Sequence, residues 1–300
     1  MSADDSSGPT EVFPPSLRLL YPFEPKRIVT STGTISVVDE GEGPAVVFVH
    51  GNPSWSFLFR DVILALRDRF RCIAPDHQGC GFSDPQPHRM RMIEHSQNLG
   101  KVLETLQVEK FILIAHDWGG AIGAHQAGLQ PDRVAGMVFL NTAAFPLKRM
   151  PWQIRLARVP VLGRILMERY NAFALGAAKQ GVVEPLRPAA AEGLLYPWLE
   201  KESRKAVSAF VEDIPWSANH PTRPTIEETE KGLEGLQDKP CLLAWGMRDF
   251  CFDEKFLDEW IRRFPNAQVE RYQEAGHYVF EDAGADLVER ISQFVDSVSY

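Results

Sequence analysis

Uninterrupted apolar runs alternate along this chain with segments whose apolar residues recur at helical spacing. The runs are rich in Val, Ile, Leu and Phe and are bounded by turn residues. That is the pattern of strands buried on both faces of a parallel sheet. They predict strands at Ile35–Val38, Ala45–His50, Arg71–Pro75, Phe111–His116, Val134–Leu140, Cys241–Trp245 and Ala267–Tyr272. The segments between them predict helices near residues 57–69, 89–107, 118–129, 253–263 and 281–298. Strands that alternate with helices in this way make an α/β architecture, with helices on both faces of a mostly parallel sheet.

The alternation stops between about Thr142 and Pro224. That stretch carries Trp152, Trp198 and Trp216, many Arg and several Pro, and no strand runs. Ligands of open α/β sheets bind at the carboxyl ends of the strands. The stretch therefore reads as a helical cap, residues 142–224, over a core formed by residues 13–141 and 225–300. Extra helical packing away from any site is the plainer alternative. Residues 1–12 read as a flexible polar tail.

Composition narrows the class. Of 300 residues, 44% are hydrophobic and 24% charged, an ordinary globular balance with material for a substantial core. The net charge of -8 argues against non-specific nucleic-acid binding. Cys72, Cys80, Cys241 and Cys251 show neither zinc-type spacing nor a paired framework, and read as free thiols of a reducing cytoplasm. The polar start Met1-Ser2-Ala3-Asp4-Asp5 has no apolar signal core, and no apolar run is long enough to span a bilayer. A cytoplasmic protein without nucleic-acid partner or transmembrane segment is expected. Self-association is left open.

The chemistry-bearing segment is Ala115-His116-Asp117-Trp118-Gly119, between the strand Phe111–His116 and the small-residue start Gly120-Ala121-Ile122-Gly123-Ala124. This is the setting of a nucleophile elbow, the sharp strand-to-helix turn that lifts one side chain above the sheet of an α/β-hydrolase. Asp117 fills the slot that usually holds Ser. A carboxylate there attacks carbon and leaves an ester on the enzyme. An Asp at a helix start is often only an N-cap. The flanking Ala115, Gly119 and Gly120 favour the elbow, which needs close helix–strand packing. His277, after the last expected strand, is placed to act as the base, and Asp249, after Cys241–Trp245, to orient it. Asp253 is a weaker candidate for the acid, and Leu140-Asn141-Thr142-Ala143 offers none. In His50-Gly51-Asn52-Pro53 and at Trp118, backbone N–H groups and the amide and indole side chains can face developing negative charge. The turn Asp76-His77-Gln78-Gly79-Cys80-Gly81-Phe82-Ser83 lacks the ending of a phosphate loop and reads as structural.

With these residues in hand, the chain resembles the haloalkane dehalogenases of the α/β-hydrolase superfamily over nearly everything after residue 15. The strongest stretches are His50-Gly51-Asn52-Pro53-Ser54-Trp55-Ser56-Phe57, Ala115-His116-Asp117-Trp118-Gly119-Gly120 and Ala275-Gly276-His277-Tyr278. The Asp-Trp elbow is shared with epoxide hydrolases; the Asn of His-Gly-Asn-Pro is the more specific sign. The resemblance implies an α/β-hydrolase fold with a mostly parallel eight-stranded sheet and a helical cap insertion. It also implies Asp117 as nucleophile, His277 as general base, Asp249 as orienting acid, and Asn52 with Trp118 as halide-binding pair. Within the family the chain looks like the third subfamily, which the opening Leu20-Tyr21-Pro22-Phe23-Glu24-Pro25 also resembles. Ala115, Ser54 and Cys80 depart from the residues frequent at these places and leave the triad intact.

That subfamily is similar to the β-lactone decarboxylases of long-chain olefin biosynthesis, which the resemblance implies use the same Asp, His and Asp. The first reading is a hydrolytic dehalogenase that turns haloalkanes into alcohol, halide and proton through an aspartyl ester. The second is a cis-β-lactone decarboxylase, which predicts a long apolar channel under the cap. Epoxide hydrolysis calls for acidic hydroxyls, for which the cap offers Tyr170 and Tyr196. A non-catalytic binding module should have lost a triad residue, and a Ser esterase lacks its Gly-x-Ser-x-Gly. The expected ligand is a small apolar halogenated or lactone substrate, and the chemistry requires no metal or organic cofactor.

Overall fold

Residues 14–147 and 150–300 are described by a computed structural model of the chain; the expected tail, residues 1–12, lies outside them. One sheet organises the molecule. Its strands are β1 (Lys26–Thr30), β2 (Gly33–Glu40), β3 (Ala45–Val49), β4 (Arg71–Pro75), β5 (Phe111–Asp117), β6 (Val134–Thr142), β7 (Cys241–Gly246) and β8 (Gln268–Tyr272). They lie in the order β1-β2-β4-β3-β5-β6-β7-β8. β1 and β2 pair antiparallel, as do β2 and β4, and all later pairs are parallel. The fold is the mostly parallel eight-stranded α/β-hydrolase sheet that the resemblance implied.

The central strands β3, β5, β6 and β7 are buried at every position, because helices cover both sheet faces. This is why their residues read as continuous apolar runs. β1 was not among the expected strands. It is an edge strand whose one buried residue is Ile28, so Lys26-Arg27-Ile28-Val29-Thr30 carries little apolar signal.

The elbow helix Trp118–Leu129 has the expected bounds. The expected helix 281–298 is instead two, Val279–Asp282 and Gly284–Ser297. Gly284 takes a φ of +50°, a left-handed turn that interrupts the helical hydrogen bonds. Between β6 and β7, among the described residues, the chain is helical with no strand, from Trp152–Ala157 through Leu162–Tyr170, Ala172–Gln180, Pro188–Leu195 and Arg204–Glu212 to Arg223–Gly232. The last of these packs against the elbow helix at Gly128 and Gly232, where Cα approaches Cα. No helix among the described residues is long and apolar enough to cross a membrane. The four cysteines are unpaired thiols.

The turn after β4 has the structural role its sequence suggested. Asp76 is buried, and its carboxylate accepts the Ser56 N–H at 2.8 Å and the Phe82 N–H at 3.1 Å. One side chain thereby ties the segment after β3 to the turn after β4.

Candidate active site

Asp117 ends β5 and stands immediately before the elbow helix, with φ +51° and ψ −127°. A non-glycine residue held at positive φ is strained, and such strain persists where the surrounding packing enforces it. Here the packing is visible. A Cβ at Gly119 would overlap the Val49 carbonyl, and one at Gly120 would overlap the Thr142 hydroxyl. Thr142 Oγ1 donates to the Asp117 carbonyl oxygen. The small residues that marked the elbow in the sequence are those that let the helix approach β3 and β6.

The loop after β3 reaches the same point. The Asn52–Pro53 peptide is cis, and the Asn52 N–H donates to Asp117 Oδ1 at 2.6 Å. The Trp118 N–H also bonds the Asp117 carboxylate. The backbone donor pair expected of this loop and elbow is thus directed at the carboxylate itself. The Asn52 side chain donates through Nδ2 to the Val207 carbonyl at 3.2 Å, joining the loop to helix Arg204–Glu212.

His277 and Asp249 lie together as expected. His277 Nδ1 donates to Asp249 Oδ2 at 2.8 Å, and His277 Nε2 stands 3.8 Å from Asp117 Oδ2. The second distance is too long for a direct hydrogen bond. It leaves Nε2 facing the carboxylate across a short gap. All three side chains are buried. Asp253, the weaker acid candidate, caps helix Glu254–Arg263 by accepting the Lys255 N–H at 3.2 Å.

Electrostatics separate the two acids. Burial pushes the Asp117 carboxyl above its ordinary value, opposed by His277 and the Asn52 and Trp118 amides. Burial acts the same way on Asp249, but His277, with its hydrogen bond, and the Cys251 and Phe252 amides outweigh it and hold Asp249 below the ordinary carboxylate value. Burial alone would lower His277; the Asp249 carboxylate and hydrogen bond, with Asp117 beyond, hold it above its ordinary value. The resulting group is an Asp249 carboxylate that orients an imidazole and favours its protonated form, beside a second carboxylate.

Sequence reasoning missed three supporting residues. Asn141 donates through Nδ2 to Asp249 Oδ2 at 2.9 Å and to the Gly246 carbonyl at 3.0 Å, while its Oδ1 accepts the Gly246 N–H at 2.8 Å. The segment that lacked an acid supplies the amide that steadies the acid. His116 donates through Nε2 to the His277 carbonyl at 2.9 Å. Phe252 stacks on the His277 ring at 5.9 Å between centroids, with 21° between planes. Only the motif position of His116, beside Asp117, was a usable signal.

Asp117, Trp118, Asn52 and His277 open onto one cavity of about 910 Å³, its mouth included. Its other walls are apolar apart from Cys251, with Phe145, Leu147, Met150, Ile154, Phe173 and Val211 among them. Among the described residues the lining holds no Tyr, Ser, Thr, Lys or Arg. Tyr170 is 61% exposed and Tyr196 packs toward Phe82, so neither reaches Asp117 from these walls.

Residues 44–284 match the family model of the alpha/beta hydrolase fold. The chain is 38% identical over 291 residues to a cis-3-alkyl-4-alkyloxetan-2-one decarboxylase of Xanthomonas campestris, covering 92% of this chain and 97% of that protein. It is 35% identical over 287 residues to a Shewanella oneidensis protein of the same name, covering 93% and 90%. A haloalkane dehalogenase 2 of Mycobacterium tuberculosis is 33% identical over 282 residues, covering 90% and 96%. Among solved structures, a haloalkane dehalogenase from Bradyrhizobium elkanii superposes with a TM-score of 0.81 at 22% identity, covering 92% and 99%. An ancestral haloalkane dehalogenase gives 0.79 at 24%, covering 91% and 100%. At those identities the structures bear on the fold alone.

Proposed function

The chain belongs to the α/β-hydrolase fold family, and on that premise we propose that it is a β-lactone decarboxylase acting on cis-3,4-dialkyl oxetan-2-ones through an ester at Asp117. In this reading residues 142–224 form the cap over the site. Asp117 attacks ring carbon C4 in line. The C4–O bond breaks, a C4–O bond to Asp117 forms, and a carboxylate is freed on C3. The bond from C3 to that carboxylate then breaks with loss of carbon dioxide. Its electron pair forms the C3=C4 double bond and expels the Asp117 carboxylate. Lactone becomes alkene plus carbon dioxide, with no water, oxidant or cofactor consumed. Attack inverts C4, and loss of the two groups from opposite sides restores the relationship, so a cis lactone yields a cis alkene.

The roles follow from position. Asn52 and Trp118 line the cavity beside Asp117, and the Asn52 Nδ2 proton not given to Val207, with the Trp118 indole N–H, takes up charge on the freed carboxylate, while their backbone amides hold the Asp117 carboxylate. His277, held by Asp249, stabilises Asp117 as it departs.

The apolar cavity around Asp117 carries this reading. It favours a substrate whose reactive carbon bears alkyl chains, and it keeps water from an ester that must eliminate before it hydrolyses. The two oxetan-2-one decarboxylases are also the more similar of the relatives described above. Epoxide opening finds no acidic hydroxyl among the described walls.

A second reading, hydrolytic dehalogenation, is favoured by the Asn52 and Trp118 donors beside the nucleophile. Here His277 takes a proton from water that attacks the alkyl ester. The experiment offers the enzyme a long-chain cis-β-lactone and, separately, a panel of bromoalkanes, measuring alkene and halide. Rapid cis-alkene with feeble halide release is the expected result. Fast stoichiometric halide release with no alkene overturns the lactone reading in favour of dehalogenation.

A further inference from the structure

The cavity at Asp117 does not stand alone. A second apolar cavity of about 760 Å³, its mouth included, lies among helices Trp152–Ala157, Leu162–Tyr170 and Ala172–Gln180. The two share Ile154, Phe173, Ala177 and Phe250 as walls. Phe250 directly follows the acid Asp249, so this shared wall is tied to the catalytic loop.

We infer that this side cavity is a binding site for the second alkyl arm of the substrate, and that Phe173 and Ile154 divide the two arms. The inference rests on the lactone reading above. A cis-3,4-disubstituted four-membered ring carries its two chains on adjacent carbons and on the same face. When C4 is presented to Asp117, both chains leave the ring side by side, and a single channel would have to hold both. A branched apolar space separates them.

The side cavity has the composition for such a chain. Among the described residues, Gln153 and Gln180 are its polar lining residues and its lining holds no charged group. Its walls also leave unusual room. A Cβ at Gly176 would meet nothing within 4 Å, so this glycine leaves space inside the cavity. Gly163 is different: a Cβ there would overlap the Ala157 carbonyl, so that glycine serves helix packing. At the outer edge Trp152 is 70% and Leu156 51% exposed, an apolar rim against which the end of a long arm can lie. Burial of each further CH₂ in such a site is worth about fourfold in affinity or kcat/KM.

Gly176→Phe fills this space from a helix position with open room, and Gly176→Ala is the control that leaves it open. Two cis-β-lactones are compared, one with two long alkyl arms and one with a single long arm and a methyl. Gly176→Phe is expected to lose at least about tenfold in kcat/KM on the two-armed lactone, the equivalent of two CH₂ groups displaced. It should keep wild-type rates on the one-armed lactone, and Gly176→Ala should match wild type on both. Equal effects of Gly176→Phe on the two lactones overturn the inference while leaving the lactone chemistry intact.

Binding reads the branch without turnover. A symmetrical long-chain secondary alcohol, titrated into each variant by calorimetry, should bind Gly176→Phe at least about tenfold more weakly than wild type. A primary alcohol of the same single chain length should bind both alike. Absence of alkene from wild type on either lactone sinks the proposed function. Unchanged binding of the secondary alcohol sinks the second-arm site, whichever reaction the enzyme performs.

Discussion

Asn141 and His277 meet on a single oxygen: Asp249 Oδ2 accepts Asn141 Nδ2 at 2.9 Å and His277 Nδ1 at 2.8 Å. Asn141 is also fixed by two bonds to Gly246, so it joins the end of β6 to the end of β7 at the point where the acid projects. Asn141→Ala removes one of the acid's donors and loosens that junction. The expected effect is a fall in kcat of about tenfold, in line with about 1.4 kcal/mol for a lost hydrogen bond to a charged group. The pH profile should also shift toward acid, because a less firmly held Asp249 supports the His277 cation less well. An unchanged rate and profile would show that His277 and the Cys251 and Phe252 amides hold Asp249 without Asn141.

Asp117→Ala should abolish turnover of lactone and bromoalkane alike, since both begin with its attack on carbon. His277→Phe separates the two second steps. With a bromoalkane it should trap the alkyl ester, seen as an added alkyl mass on the peptide containing Asp117. With a lactone it should still turn over, slowly, any ester that builds up ending as alkene and carbon dioxide, because elimination needs no base. Near-normal activity in Asp117→Ala would refute the mechanism as a whole.

The pH dependence follows from the direction of each shift. Asp117 sits above its ordinary 3.8 and must be ionised to attack. Alkene formation should therefore fall with acid earlier than an ordinary carboxylate would dictate. His277 sits above its ordinary 6.5. Ester hydrolysis needs its neutral form and should rise as pH climbs through that raised value, whereas alkene formation should show no such rise. The pair also acts on stability. The depressed Asp249 contributes above 3.8 and loses that contribution as pH falls through its folded value. The raised His277 contributes below 6.5 and loses it as pH rises through its folded value. Paired rate profiles on one preparation, with thermal unfolding across the same range, check both signs.

Asp76→Ala tests the structural turn. It removes the acceptor of the buried Ser56 amide and of the part-buried Phe82 amide. An unsatisfied buried donor costs about 1–3 kcal/mol, so a loss of at least about 1 kcal/mol is expected in denaturant unfolding. Burial holds the Asp76 pKa up at about 6, yet the groups that shift His277 are Asp249 and Asp117, so little change is expected in the pH profile of the surviving activity. A variant as stable as wild type would mean water replaces the carboxylate.

Gly119→Ala tests the elbow. A methyl there overlaps the Val49 carbonyl, which belongs to rigid β3. Backbone cannot yield as a side chain does, so the helix must shift and carry Asp117 with it. Activity should fall at least about a hundredfold, the scale of displacement from reactive geometry. Circular dichroism will distinguish a displaced elbow from a chain that fails to fold.

Local sequence determined much of this protein. Strands buried on both faces need continuous apolar runs, so β3, β5, β6 and β7 were legible from their first residue and to within two residues of their last. An elbow needs small residues on either side of its nucleophile, so Ala115, Gly119 and Gly120 marked Asp117. Asp249 and His277 follow strand ends, where the chain order of the fold places them. The tertiary structure decided what depends on residues distant in sequence. Asn141 supports Asp249 across two strand ends, and its sequence neighbours give no hint of that partner. The edge strand β1 forms because β2 offers it a ladder, its own residues being mostly exposed. The apolar cavity draws its walls from Asn52 through His277. The second cavity beside it exists because helices Trp152–Ala157, Leu162–Tyr170 and Ala172–Gln180 pack around it with Gly176 facing open space. Periodicity and turn chemistry act over a few residues and can be read from them. Cavity shape is the residue of long-range packing, and it takes form only when the whole chain has folded.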